Sequence, residues 1–329
     1  MNVICLDLEG PLTPQDNAYE LMKLLPRGGR IFEVLSRYDD LLSLEGRPGY
    51  EPGDTLALIT PFLAYHDIQE KQISAMGQQA RLTPGAAELV SRLKSREWDI
   101  FCITTSYEQY AFSVTQRLGI SSQHVACTPL TLRHIRQLSS GHESALLKQA
   151  EDKIVALEPF ADDVKIKEYL DYFYWQKLPQ SSWGDIISQV RPVGGRRKVE
   201  ALENFSTEMG KPLSQWVVVG DSITDCKMLE AVNKAAGLAI AFNASEYALQ
   251  YATISLASVT LDDLWTVLEG WEKGGRENVE KVVKEREKAG GTENRGWFHW
   301  LDGVKDMTPA LEVHKRIRRL VRKEAANLA

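Results

Sequence analysis

Cysteine is scarce in this chain: Cys5, Cys102, Cys127 and Cys226 are the only four in 329 residues. They are too widely spaced for a zinc site or a disulfide framework, so they read as reduced packing residues of a cytoplasmic protein. Long apolar runs are missing as well. No stretch reaches the roughly 20 residues a bilayer-spanning helix needs, which argues against stable membrane insertion. The N-terminus lacks a basic lead-in and a small-residue cleavage site, so no secretory signal is expected. Nor is there a large excess of one charge. The 39 Lys and Arg face 45 Asp and Glu, a formal net charge of −6, and that balance argues against nucleic acid as a partner of the whole chain. Internal repeats and low-complexity segments are absent. What charge asymmetry exists lies at the end, where residues 271–329 hold 14 of the basic residues but only 10 of the acidic ones. A basic tail on an acidic body implies docking on that body or on a partner.

What is present is a series of short apolar runs rich in Val, Ile and Cys, at 3–7, 99–104, 124–128, 216–221, 238–242 and 253–256. Such runs read as strands of a parallel sheet buried on both faces. Helical patterns lie between them, as in Ala86–Leu93 and Tyr110–Leu118, so the expected fold is α/β with a Rossmann-like parallel sheet. Two stretches break the rhythm and are too long for loops. The core is therefore expected in residues 1–13, 83–129 and 191–268. A helical cap is expected over 14–82 and a helical insert over 130–190. Residues 269–329 read as a helical C-terminal extension whose last helix starts at Thr308 and Pro309. Val313, Ile317, Leu320 and Val321 are its expected apolar stripe. "DYFYW" at 171–175 reads as packing within the insert or as a contact with a second copy in a homodimer. "GWFHW" at 296–300 reads as an anchor for the tail.

The chemistry begins with "ICLDLEG", where Asp7 and Glu9 end a buried strand two positions apart. Two carboxylates there are costly to desolvate unless something positive joins them. A second buried strand, in "WVVVGDSITD", presents Asp221 and Asp225 at its end. Four carboxylates in one crevice suit a hard divalent cation with oxygen ligands, and Mg²⁺ is the expected one. The strand "FCITTS" ends in Thr104, Thr105 and Ser106, whose hydroxyls and backbone amides suit phosphate oxygens. In "RPVGGRRKVEAL" glycines precede a helix carrying Arg196, Arg197 and Lys198, cations able to balance the acids and a bound phosphate.

Taken in order, D-x-E-G-x-L-T, the strand-end hydroxyl, the lysine and G-D-S-x-T-D resemble the motifs of the haloacid dehalogenase (HAD) superfamily, from residue 1 to about 268. "LTPGAAELVSRL" before the second strand is also typical of it. Glu9, where most HAD phosphatases have Asp, resembles the phosphoserine-phosphatase-like branch and uncharacterised archaeal proteins with the same first motif. The resemblance implies that Asp7 is the nucleophile and Glu9 the general acid/base. It implies that Thr104 and Lys198 hold the transferring phosphoryl group, with Thr105, Ser106 and Gly10 beside it. Asp7, Glu9 (through its backbone carbonyl), Asp221 and Asp225 would form the Mg²⁺ site. The expected activity is Mg²⁺-dependent hydrolysis of a small phosphorylated metabolite through an aspartyl-phosphate. The alternatives are phosphotransfer to a small alcohol and a non-catalytic accessory or regulatory subunit. Gln15 or Asp16 stands where such phosphatases hold a substrate amino group with an acid. Arg27, Arg30, Arg37 and Arg47 of the cap are candidates for binding a second substrate anion.

Overall fold

The computed structural model describes residues 2–138, 144–159, 161–292 and 295–322. Parts of the expected 130–190 insert and 269–329 extension lie outside the described residues. The chain starts with β1 (Val3–Leu6) and then leaves the sheet for α1 (Asn17–Met22), α2 (Gly28–Glu45), α3 (Thr55–Tyr65) and α4 (Glu70–Gln79). It returns through α5 (Ala86–Ser95), β2 (Asp99–Tyr107), α6 (Glu108–Arg117) and β3 (Val125–Thr128). A second helical excursion holds α7 (Leu132–Leu138), α8 (Ser144–Val155) and α9 (Asp163–Tyr172). Then come α10 (Arg196–Met209), β4 (Trp216–Gly220), α11 (Cys226–Lys234), β5 (Leu238–Phe242), α12 (Glu246–Leu249) and β6 (Ile254–Ala257). The chain closes with α13 (Trp265–Ala289), β7 (Trp297–Trp300) and α14 (Thr308–Arg322).

One sheet runs in the order β3-β2-β1-β4-β5-β6-β7, parallel throughout except for β7, which pairs antiparallel with β6. This is the Rossmann-like α/β fold. β1, β4, β5 and β6 are buried at every position, which is why they read as unbroken apolar runs. The edge strand β7 is Trp297–Trp300, so "GWFHW" anchors the tail by joining the sheet, with Trp297 and His299 only half buried. Strand order reverses between β1 and β4, and the crevice at their carboxyl ends is where such sheets bind ligands.

The two excursions pack on each other. α3 carries apolar residues all round and is buried along nearly its whole length, with Phe62 against Phe173 of the second excursion. Tyr38 of α2 donates to Asp171 (2.6 Å) and accepts from Trp175 Nε1 (2.8 Å), while Tyr174 donates to the Leu58 carbonyl (2.9 Å). The aromatic run "DYFYW" thus glues the insert to the helices over the sheet, and Phe173 and Tyr174 are fully buried there. The cap arginines serve the same seam. Arg37 pairs with Asp163, Arg47 with Asp171, Arg27 with Asp152 and Arg30 with Glu158. Each of the four thus faces an insert carboxylate.

Candidate active site

β1 and β4 lie side by side in register, Leu6 opposite Val219, so the residues just beyond them meet. Asp7 donates its backbone N–H to the Val219 carbonyl (2.9 Å) and is almost fully buried. Its Oδ1 accepts from Leu8 N–H (2.7 Å) and its Oδ2 lies 2.9 Å from Lys198 Nζ. Lys198 is 0% exposed and sits between two acids, reaching Asp225 Oδ1 at 2.7 Å. Burial alone would lower its pKa, but the Asp225 and Asp7 carboxylates outweigh that and hold it above the usual lysine range. Arg196 and Arg197, the other candidate cations, point elsewhere. Arg196 N–H and Nε bind Glu51 (2.8 and 3.1 Å), and Arg197 pairs with Asp54, so both fasten the 51–54 loop to the core.

Asp225 Oδ2 accepts from the Asp221 and Ser222 backbone amides (2.9 and 3.1 Å), which ties the turn after β4. Asp7, Asp221 and Asp225 each offer an oxygen, and the three lie within 4.8 Å of one another. This all-carboxylate donor set fits a hard divalent cation. Gly10 supports the fit. Its φ of +93° turns the chain, and a Cβ there would fall 2.3 Å from Asp221 Cγ, so only glycine leaves room for the acid. Burial and the Asp225 charge push the Asp7 carboxyl up, against the pull of Lys198.

Glu9 is held differently. Its carboxylate accepts from Asn17 Nδ2, from the Asn17 backbone N–H (3.3 Å) and from the Ser106 hydroxyl, and it is not one of the three clustered carboxylates. Burial and the nearby Asp16 push it up to about 7, opposed by Ser106, Arg322 and Asn17. The expectation for the β2 hydroxyls divides by strand alternation. Thr104 and Ser106 share a face, and Thr104 donates to the Ser106 hydroxyl (3.1 Å), which in turn donates to Glu9. Thr105 faces the other way and donates to the Val193 carbonyl (3.1 Å). Thr104 and Thr105 both border a small cavity of ≈ 90 Å³ that Asp7, Glu9 and Asp221 also line. Ser106 donates to Glu9 and is not among the residues lining the cavity. The Gly10 N–H donates to the Thr13 carbonyl (2.7 Å), and the missing side chain at Gly10 leaves room for Asp221.

Across the cavity lie Asp16, Asp39 and Asp40. Asp16 caps α1 by accepting from Tyr19 N–H (2.8 Å), whereas Gln15 accepts from Arg81 N–H (2.7 Å) outside the cavity. The largest departure from expectation comes from α14. Arg318 and Arg322 both point an Nη1 at Asp221 Oδ2, at 2.8 and 2.6 Å, and both are buried. Burial and the like charge of Arg322 lower Arg318 to about 10, so it stays charged at neutral pH. The buried face of α14 is Ala310, His314, Ile317, Arg318 and Arg322, while Leu320 of the expected apolar stripe is 55% exposed. The signal was present in the i, i+4, i+8 spacing of His314, Arg318 and Arg322, which stacks them on one helix face.

No family model matches the chain. A solved structure of gene product AF1437 from Archaeoglobus fulgidus is similar over 100% of this chain and 99% of its own, at 29% identity and a TM-score of 0.85. A curated relative, phosphoserine phosphatase SerB2 of Mycobacterium tuberculosis, is 41% identical over 71 residues. That match spans 22% of this chain and only 16% of the relative. A substrate-bound phosphoserine phosphatase structure aligns over 77% of this chain and 91% of its own, at 16% identity and a TM-score of 0.48. By its parallel sheet, the order of its motifs and the carboxylates gathered at the sheet's switch point, this chain resembles the phosphatases of the haloacid dehalogenase (HAD) superfamily.

Proposed function

We propose that the chain is a phosphohydrolase acting on a small phosphorylated metabolite through an aspartyl-phosphate on Asp7. The observation that carries this reading is the pairing of Asp7 with Lys198 beside a Glu9 carboxylate fixed by Asn17 and Ser106. Asp7 Oδ attacks phosphorus, the ester oxygen leaves, and Glu9 gives it a proton to release the alcohol. Glu9 then takes a proton from water as that water attacks the phosphorus of the aspartyl-phosphate, releasing inorganic phosphate and restoring Asp7. Thr104, on the cavity wall, donates to a phosphoryl oxygen, and Lys198 offsets the charge gathered on Asp7 and the phosphoryl group. Asp7, Asp221 and the Glu9 backbone carbonyl, with Asp225 behind them, would hold Mg²⁺, which would supply charge neutralisation at the phosphoryl oxygens. The small cavity beneath the α1–α3 helices supports a small substrate shielded from bulk water. The name of the phosphoserine phosphatase matched over 71 residues supports a phosphate monoester as that substrate.

The test is Mg²⁺-dependent hydrolysis of p-nitrophenyl phosphate and a panel of phosphate monoesters by wild type and Asp7→Asn. Turnover by wild type and its loss in the variant are expected. A wild type inactive across the panel overturns the hydrolase reading, and equal activity of the variant overturns Asp7 as nucleophile. Product analysis with added alcohols separates hydrolysis from phosphotransfer, since only the latter yields a new phosphate ester.

A further inference from the structure

The C-terminal helix brings more positive charge to Asp221 than that acid needs. Arg318 alone answers it, donating from Nη1 to Asp221 Oδ2 (2.8 Å) and lying 3.4 Å from the Asp221 and Asn243 carbonyls. Arg322 adds a second guanidinium to the same oxygen. A guanidinium has five N–H donors. Among the described residues, only Nη1 of Arg322 finds an acceptor, and its Nε–H is buried without one. A buried donor left unpaired is unfavourable. Arg322 is also the one cation among the described residues lining the ≈ 90 Å³ cavity, facing Asp7, Glu9, Asp16, Asp39, Asp40 and Asp221. A surplus charge with spare donors, on the wall of a cavity whose other charged lining residues are all acids, is suited to an anion inside it.

The helix carrying it is built into the fold. Ala310 and Ile317 are buried, and His314, fully buried, accepts from the Ala244 backbone N–H (2.7 Å) through Nδ1. Burial keeps that imidazole neutral, lowering it to about 3, so the bond persists across the physiological range. Nothing in this docking resembles a removable plug. We propose that Arg322 is a substrate-binding residue of this site, donating to a phosphoryl oxygen, and that Arg318 positions it by holding Asp221. The inference rests on the phosphohydrolase reading for its substrate, and it adds to the site a residue from outside the motif-bearing stretch 1–268.

Calorimetric binding of inorganic phosphate to the full chain tests it without turnover. Arg322→Ala is expected to weaken phosphate binding at least tenfold and to raise KM for p-nitrophenyl phosphate more than it lowers kcat. Mg²⁺ affinity, measured separately, is expected to hold. Arg322→Gln, similar in length but uncharged, is the second variant if the alanine form fails to fold, with the same loss expected. Unchanged phosphate binding in either variant overturns the proposal. Tighter Mg²⁺ binding with higher activity also overturns it, because the helix would then be an inhibitory plug. Arg322-dependent phosphate binding in a wild type that hydrolyses nothing sustains this inference while removing the phosphatase reading. Hydrolysis with an unaltered KM in the variants does the reverse.

Discussion

Gly10 packs directly on the carboxylate of Asp221, so closely that a Cβ at position 10 would overlap it. One residue past Glu9, the chain must turn at positive φ and leave that acid its space. Gly10→Ala is therefore expected to fail on both counts. The left-handed backbone is unfavourable for alanine by at least about 1 kcal/mol. Displacing Asp221 should weaken Mg²⁺ binding by roughly tenfold or more. Calorimetric titration of Mg²⁺ into the variant checks this, and wild-type affinity would show that Asp221 is no ligand.

Among the described residues Lys198 is the only partner of Asp225 Oδ1, and it shares its charge with Asp7. Replacing it with methionine keeps the packing but leaves two buried acids facing each other. Removing one partner from such a cluster is expected to lower stability by about 3–5 kcal/mol. Adding Asp225→Asn to Lys198→Met should recover part of that loss. Denaturant unfolding of the two single variants and the double variant measures the coupling, and additive losses would refute it.

The sheet and the acid positions were legible because buried parallel strands read as apolar runs and because carboxylates at their ends stand out against them. β7 was harder: an edge strand half open to solvent, it reads in sequence as an aromatic anchor. The Ser106 contact with Glu9 depends on two strands lying side by side, which no local pattern carries. Arg318 and Arg322 were hidden for a different reason. A run of arginines on a helix ordinarily faces water, and only the docking of α14 turns two of them inward. The cap arginines show the converse, since their partners in the insert lie more than 100 residues away.

Asp40 is buried at the cavity wall, makes no hydrogen bond among the described residues, and faces Asp39, Asp163 and Arg37. Burial and the Asp39 charge raise its carboxyl to about 7. A raised acid favours the folded state only while protonated. Its contribution is complete below the unfolded value of about 3.9 and is lost as pH rises through about 7. Asp40→Asn is therefore expected to be more stable than wild type at pH 8, by at most about 4 kcal/mol, and to show no advantage at pH 4. Thermal unfolding from pH 4 to pH 8 checks this, and a pH-independent difference would place the effect in packing.

The seam between the α1–α3 helices and the insert has a buried centre and a wet rim, and the two should respond differently to mutation. At the centre, the fully buried Tyr38 donates to Asp171 and accepts from Trp175 Nε1. Tyr38→Phe leaves that indole N–H without its acceptor, and the expected loss is about 1–3 kcal/mol. At the rim, the Arg27–Asp152 pair is about half exposed on both sides. Arg27→Ala is expected to change stability by less than about 1 kcal/mol, since water and salt already screen the pair. Chemical unfolding measures both, and proteolysis within the insert should accelerate in the Tyr38 variant alone. Equal effects of the two would mean that the charged rim, not the aromatic centre, holds the insert in place.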